Sequence, residues 1–197
     1  KPLGDGSQPT IILAGAAGAG MVSLAGAVSV IVTKNINEAY VQQSEIYSLG
    51  SVKIFSNHNI NMDVWAGTVS GAGLVGAGGS VVVSSFQNIS RAQVKGSKLN
   101  ALGAIEVKAR SRDKINVKVG TAAAGGVGVA GSVMVTLVET TTEASVEEDE
   151  ETESEINQDE RYRPGGLYAP DANQTLSIKV DNRTEVNSLG GALGAGL

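Results

Sequence analysis

The sequence has no cysteine, a single histidine, four prolines, two phenylalanines and one tryptophan among its 197 residues. Without cysteine there can be no disulfide, no thiol nucleophile and no thiolate metal site. With so few large aromatic side chains, a core has to come mainly from Val, Ile, Leu and Ala. Glycine is abundant instead, with 26 residues, and it allows backbones to approach closely. Because Val and Ile favour strands, this composition predicts an all-β chain.

The net charge of −5 is concentrated in one segment. Residues 1–146 carry 11 basic and 8 acidic side chains, whereas Glu147–Glu160 contains nine acids and no base. Such a run repels itself and favours a solvated loop. We therefore predict one domain over residues 1–197, interrupted at residues 147–173 by an acidic insertion that projects as a loop.

An internal repeat is the strongest signal in the chain. When the sequence is shifted by 53 positions, residues 26–30 meet 79–83, residues 49–54 meet 102–107, and residues 62–64 meet 115–117. A third copy follows at a shift of 52, and the last four residues match residues 124–127 at a shift of 70. The third repeat is therefore about 17 residues longer, and the acidic segment accounts for the excess. A fixed period of this kind indicates stacked units that cannot bury their faces alone.

Within each repeat, apolar and polar residues alternate with the period of a strand. We predict a right-handed parallel β-helix (a β-solenoid) of about three repeats, with two coils of about 24 and 29 residues in each repeat and five or six coils in all. Lys53 and Glu106 should point outward, and turns are expected at Ser56–Asn59 and at Lys95–Ser97. The side chains expected to point inward are Val28, Val30, Val52, Ile54, Val81, Val83, Ile105, Val107, Val133 and Val135.

Other interpretations of the glycine-rich and acidic segments stay open. Ile11–Thr33, Val64–Gln87 and Val119–Val138 carry no charge and are long enough for transmembrane helices, although Gly, Ser and Thr make them poorly hydrophobic. Gly71–Gly76 fits a dinucleotide fingerprint, but no helix pattern follows it. The acidic segment could bind calcium, but it lacks the usual alternation of Asp or Asn with Gly.

Catalytic groups are scarce. The single histidine, His58, is expected in a polar surface turn, and no Ser–His–Asp arrangement or zinc-ligand spacing is present. We predict no enzyme activity, no catalytic residue, no cofactor and no metal. The best candidate site consists of Lys108, Arg110, Arg112 and Lys114, which recur at every second residue. On a strand they would share one face and form a basic stripe suited to polyanions.

The repeat unit resembles that of a known family. It reads Gly-Ala/Ser-Val-x-Val, then Ala-x-Val, then Leu-Gly-x-Val/Ile-x-Ile/Val, then a run of Gly and Ala. This pattern is similar to the repeats of leukotoxin-type filamentous adhesins, and of filamentous-haemagglutinin-like large exoproteins. The resemblance covers the chain apart from the acidic insertion. It implies a parallel β-helix, export across the outer membrane, and a role in adhesion or in toxicity toward host white cells.

The resemblance and the basic stripe together define the functional expectations. We expect a structural and adhesive stalk segment of a bacterial protein that is secreted or held at the cell surface. Its partners would be a host-cell or matrix surface carrying anionic glycans, with lateral self-association and no nucleic acid. The alternative is a membrane-active segment of a leukotoxin-type toxin. The first residues show no secretion signal, so we expect the chain to be a fragment with neighbours on both sides.

Overall fold

The computed structural model describes residues 10–168 and 174–196, and nearly all of them lie in strands. A short 3-10 turn, Glu160–Tyr162, follows the seventh strand. The strands are β1 (Thr10–Gln42), β2 (Glu45–Ser48), β3 (Val52–Lys95), β4 (Lys98–Ala101), β5 (Ile105–Gly125), β6 (Val127–Glu147), β7 (Glu155–Ile156) and β8 (Leu176–Gly196).

All strand pairs are parallel, and they follow the sequence repeat. Strand β3 pairs with β1, β5 and β6, whereas β8 pairs with β5. The pairing of Val28 with Val81, and of Val52 with Ile105, confirms the shift of 53. Before Gly20 the shift is 52, and between β5 and β8 it is 71, one more than the terminal match predicts. The chain is therefore an all-β array of parallel strands, consistent with a β-solenoid.

The prediction of two coils in each repeat is wrong. Two coils would pair residues about 24 to 29 apart, but the register partners of Val81 on the neighbouring strands are Val28 and Val133, each a whole repeat away. Each repeat instead adds a single level. The described chain has four such levels where β1, β3, β5 and β8 pair, rather than five or six coils.

Among the described residues, the first three levels are each folded back on themselves at a glycine-rich bend. We call residues 10–20, 52–71, 105–125 and 176–196 the front layer, and residues 22–42, 75–95 and 127–147 the back layer. The two layers face each other, as shown by the hydrogen bonds from Ser70 to Ser23 and between Ser56 and Ser90. At the bend the backbones come so close that a Cβ on Gly76 would lie 2.5 Å from the carbonyl oxygen of Ala124. Only glycine fits there without moving the chain.

The core lies between the layers and forms two clusters along the strands. The cluster near the bend includes Val64, Val82, Phe86 and Ile115. The other cluster includes Val94, Leu99, Ile105 and Val107, beside the short sheet formed by β2, β4 and β7.

The predicted inward face is right in the front layer and wrong in the back layer. Ile54, Ile105 and Val107 are buried, Val52 is half-buried, and Lys53 is exposed, as expected. Glu106 also points outward, with its side chain 28% exposed. In the back layer the valines predicted to be inside are on the outside: Val28, Val30, Val83, Val133 and Val135 are exposed and Val81 is half-buried.

The reason for the reversal in the back layer is the narrow space near the bend. Ser23, Ala25 and Ala27 are buried there, level with Gly76, Gly78 and Ser80 of β3, and their small side chains fit between the two closely approaching layers. A shift of one residue exchanges the two faces of a strand. The valines therefore lie on the outer surface of the back layer.

The three uncharged segments considered as helices lie instead in strands β1, β3, β5 and β6. Among residues 10–168 and 174–196, no helix is long and apolar enough to cross a membrane.

The acidic segment contacts the short sheet over part of its length. Glu155 and Ile156 pair with Lys98 and Leu99 of β4. Farther along, Tyr162 is buried and its ring lies 5.9 Å from that of Tyr47. A turn at Pro164–Gly165 follows, with Gly165 at φ +87. Residues 169–173 of the predicted insertion lie outside the described residues.

Candidate polyanion-binding face

The structure places the four residues of the basic stripe on the outer side of β5. Lys108, Arg110, Arg112 and Lys114 alternate along the strand with buried inward residues, among them Ser111. Arg112 is the more accessible arginine, with 52% of its side chain exposed against 28% for Arg110. Alternation within one strand therefore produces the shared face that the sequence predicts.

The strands on either side extend this surface. On the β3 side the stripe is flanked by Asn57, Asn59 and Asn61, which pair with Arg110, Arg112 and Lys114. On the β8 side the partners are Lys179, Asp181, Arg183 and Glu185. Because in-register partners point to the same side of a parallel sheet, these residues form one continuous outer surface. We call it the front face.

Bases outnumber acids two to one on the front face. Among residues 10–168 and 174–196, eight basic and four acidic side chains lie on it, a net charge of +4, although the whole chain has a net charge of −5. The bases are Lys53, Lys108, Arg110, Arg112, Lys114, Lys118, Lys179 and Arg183, and the acids are Asp63, Glu106, Asp181 and Glu185.

Acidic residues of the face partly neutralise the stripe. Asp181 lies 3.2 Å from Arg110 and 3.6 Å from Arg112, so one carboxylate serves both guanidiniums. The pKa of Glu185 lies below its ordinary value, chiefly because the Asn187 amide donates to it and also because Lys114 is close. These contacts hold the long side chains in an ordered array but weaken the positive field.

Aromatic rings and a shallow groove complete the front face. The Lys118 ammonium lies 4.2 Å from the centre of the Trp65 ring, and Lys108 lies 6.0 Å from Phe55. Both rings remain about half exposed. Beside Trp65, Gly67 and Gly120 leave a depression with mainly apolar walls. The surface thus combines cations, amides and flat rings over several levels, which suits an extended anionic polymer better than a small molecule.

Beneath the stripe lies a buried polar cluster that the sequence did not reveal. His58 was expected in a surface turn, but it lies within β3 and is 4% exposed, so that prediction is wrong. Its Nδ1 lies 2.6 Å from the Asn37 amide nitrogen, and its Nε2 lies 3.4 Å from Asp113 Oδ1. Since the carboxylate can only accept, we assign the imidazole proton to Nε2.

Asp113 is the centre of this cluster. Its Oδ2 accepts hydrogen bonds from Asn88 at 3.0 Å, Thr140 at 3.1 Å and Ser111 at 3.3 Å. Asn88 and Thr140 belong to the back layer, whereas Asp113 lies in the front layer between Arg112 and Lys114. The cluster therefore fastens the stripe-bearing strand to the opposite layer.

One signal in the sequence could have revealed this cluster. The alternation that begins at Ile54 continues through Ser56, His58 and Ile60 to Met62 with no glycine or proline to break it. Read to its end, it places His58 on the inward side. Among residues 10–168 and 174–196, no group of three or more His, Cys, Asp or Glu side chains could hold a metal ion.

Comparison with family models, with curated proteins and with solved structures finds no match for this chain.

Proposed function

We propose that this chain is a segment of an adhesive stalk in a large bacterial exoprotein, secreted or held at the cell surface, of the kind its repeats resemble. The supporting observation is the stacking of like residues in parallel pairs one repeat apart. An array in which each level contacts its neighbours can be lengthened without changing its fold. We further propose that the levels form a closed, right-handed solenoid, the usual hand of parallel crossovers.

The stalk would contact anionic glycans of a host-cell or matrix surface through its front face. The excess of bases and the row of asparagine amides favour a sulfated or carboxylated polymer lying across several levels. Guanidinium groups bind such anions through paired hydrogen bonds, and the half-exposed rings offer flat surfaces for sugars. We propose no catalytic step, cofactor or metal for this role.

Chromatography on immobilised heparin tests the role of the stripe. In one variant, Lys108, Arg110, Arg112 and Lys114 are all changed to Ser. A matched control changes four other bases to Ser, and thus has the same net charge. The control residues are Arg91, Lys95, Lys98 and Arg163, which lie off the front face. These bases are partly exposed, so their loss should cost little stability.

We expect the wild type and the control to be retained and the stripe variant to elute at much lower salt. Retention should weaken as the ionic strength passes about 0.1 M, where the screening length is about 10 Å. Circular dichroism checks that all three proteins keep their strands. Equal loss of retention in the stripe variant and the control would contradict a specific face and indicate a net-charge effect.

The second candidate function is that of a membrane-active segment of a leukotoxin-type toxin. The observation that favours it is the uncharged part of the outward surface of the back layer, where Val28, Val30 and Val32 are about 70% exposed or more. Dye release from vesicles separates the two candidates. A toxin segment should cause leakage in proportion to its concentration, whereas a stalk segment should leave the vesicles intact.

A further inference from the structure

The outer surface of the back layer carries an uninterrupted apolar patch. Six outward positions on each of three adjacent strands, from Val22 to Val32 on β1 and at the partner positions of β3 and β6, contain no charged residue. We call these positions the valine patch. Its large members are Val22, Leu24, Val28, Val30 and Val32 on β1, Val75, Val81 and Val83 on β3, and Val127, Val129, Val133, Val135 and Leu137 on β6.

The patch is larger than an ordinary exposed apolar area. Outward positions repeat about every 6.7 Å along a strand and strands lie about 4.8 Å apart, so six rows on three strands cover about 600 Å². Patches on monomers rarely exceed this size. The whole outer surface of the back layer, up to Gln42, covers about 1,000 Å² on the same spacing. A stable interface needs about 800 Å² from each partner, so this surface is large enough.

Directly beyond the valine patch, the next outward position on each of the three strands forms a row whose charge changes from strand to strand. We call it the boundary row. Lys34 on β1, Gln87 on β3 and Glu139 on β6 lie opposite one another in register. The row is thus positive on one outer strand, neutral in the middle and negative on the other outer strand. The Gln87 amide donates to Glu139 at 3.3 Å, which holds the carboxylate beside the patch.

We propose that the valine patch is the surface through which two copies of this chain associate. The copies pack back layer to back layer around a two-fold axis parallel to the strands. That axis passes over β3, the middle strand, and exchanges β1 with β6 between the copies. Lys34 of each copy then faces Glu139 of the other, and Gln87 faces Gln87. Two-fold symmetry requires a self-complementary surface, and the boundary row has this property.

The apolar rows are compatible with the same axis. Under this exchange Leu24 faces Val129 of the second copy, and the row of Gly26, Gly79 and Gly131 leaves room for side chains opposite it. Two sheets that pack face to face are usually offset by about 30°, which lets such rows interdigitate. Farther along, the same axis places Glu38 opposite Glu143 of the second copy, and Arg91, which bridges the two carboxylates within one copy, offsets their repulsion. The boundary row therefore gives the clearest test.

Charge reversal combined with sedimentation velocity tests the arrangement. We expect the wild-type chain to form dimers whose population rises with concentration. Lys34→Glu and Glu139→Lys should each weaken the dimer at least tenfold, since each places like charges opposite each other. The double variant Lys34→Glu with Glu139→Lys should restore dimerisation. If either single variant dimerises like the wild type, or the double variant stays monomeric, the proposed axis is wrong.

A second pair of variants tests the patch itself. Val30→Thr combined with Val135→Thr keeps β-branched side chains on two strands, so the fold should survive while the apolar surface shrinks. Dimerisation should then weaken, whereas the charge change Lys53→Glu on the front face should leave it unchanged. Unchanged dimerisation in the threonine variant would overturn the proposal. The proposal would also be overturned if the wild type were monomeric and sedimented with vesicles of phosphatidylcholine and phosphatidylglycerol, because lipid would then cover the valine patch.

Discussion

Removal of the Asp113 carboxylate should destabilise the protein more than any change on its surface. Asp113 is 3% exposed, receives three hydrogen bonds on one oxygen and faces the imidazole of His58 with the other. Asp113→Ala would leave these donors without an acceptor between two packed layers. Because the donors come from both layers, the loss should weaken the attachment of β5 to the back layer.

The magnitude follows from the number and burial of these contacts. A hydrogen bond to a charged group contributes about 1.5–3 kcal/mol, and each buried donor left without an acceptor costs about 1–3 kcal/mol. Thr140 is only partly buried and can turn to water, so the contributions do not simply add. With three donors losing their acceptor, we expect Asp113→Ala to lower the free energy of unfolding by about 3–5 kcal/mol.

Asp113→Asn is the matched control, since it keeps the shape and one carbonyl oxygen. That oxygen can still accept from Asn88, Ser111 and Thr140, while the new amide nitrogen faces His58. The imidazole can respond by moving its proton from Nε2 to Nδ1, and the Asn37 amide can rotate to accept it. Neutral hydrogen bonds are about half as strong as charge-assisted ones. The expected loss is therefore about 1–2 kcal/mol.

Urea unfolding followed by circular dichroism measures both losses, provided the m-value stays the same in all three proteins. Because His58 is the only histidine, the ¹⁵N shifts of its ring report the tautomer change in the Asn variant directly. If Asp113→Ala unfolds within about 0.5 kcal/mol of the wild type, a range typical of surface substitutions, this account of the cluster is refuted.

Three further outcomes follow from the other contacts. Asp181→Asn should raise the salt concentration needed to elute the protein from heparin, because it frees both stripe arginines; earlier elution would contradict the account of the face. Tyr162→Ala should cost about 3 kcal/mol locally, since its buried ring packs against Tyr47; hydrogen exchange of the short sheet measures this, and unchanged protection would show a passive loop. The Arg161 side chain holds the pKa of Asp159 at about 2, below its ordinary 3.8, so this contact stabilises the turn above pH 3.8 and is lost as the pH falls through about 2. Near-ultraviolet circular dichroism should show a transition in this pH range. If the same transition persists in Asp159→Asn, it arises from another group.

The period and the parallel register could be predicted from the sequence. Like residues recur at a shift of 53, and parallel in-register pairing places like on like, as Val52 with Ile105 and Met62 with Ile115 show. The basic stripe was equally accessible, because strand periodicity alone puts Lys108 and Arg110 on the same side. Both depend on local alternation and on a constant interval, which a linear sequence displays.

The number of levels in each repeat and the orientation of the back layer were decided by tertiary structure. A glycine-rich segment can either lead the chain to a new level or fold one level over itself. Which of the two occurs depends on how closely two layers can approach, as at Gly76. In the back layer, Ser29 and Val30 alternate in a pattern that either face could bury. At the bend the narrow gap buries Ser23, Ala25 and Ala27, and the strand alternation continues from them, so that Ser29 is buried and Val30 is exposed although valine is the more hydrophobic residue.

The polar cluster shows the same limit at a single site. His58 and Asp113 lie 55 positions apart, and neither belongs to a motif. They meet because β3 and β5 are adjacent levels, while Asn37 and Asn88 reach them from the opposite layer. A repeat displays which residues share a ladder within one layer. Only the packing of the two layers determines which of these ladders contact each other. That contact buries His58, which the sequence alone places at the surface.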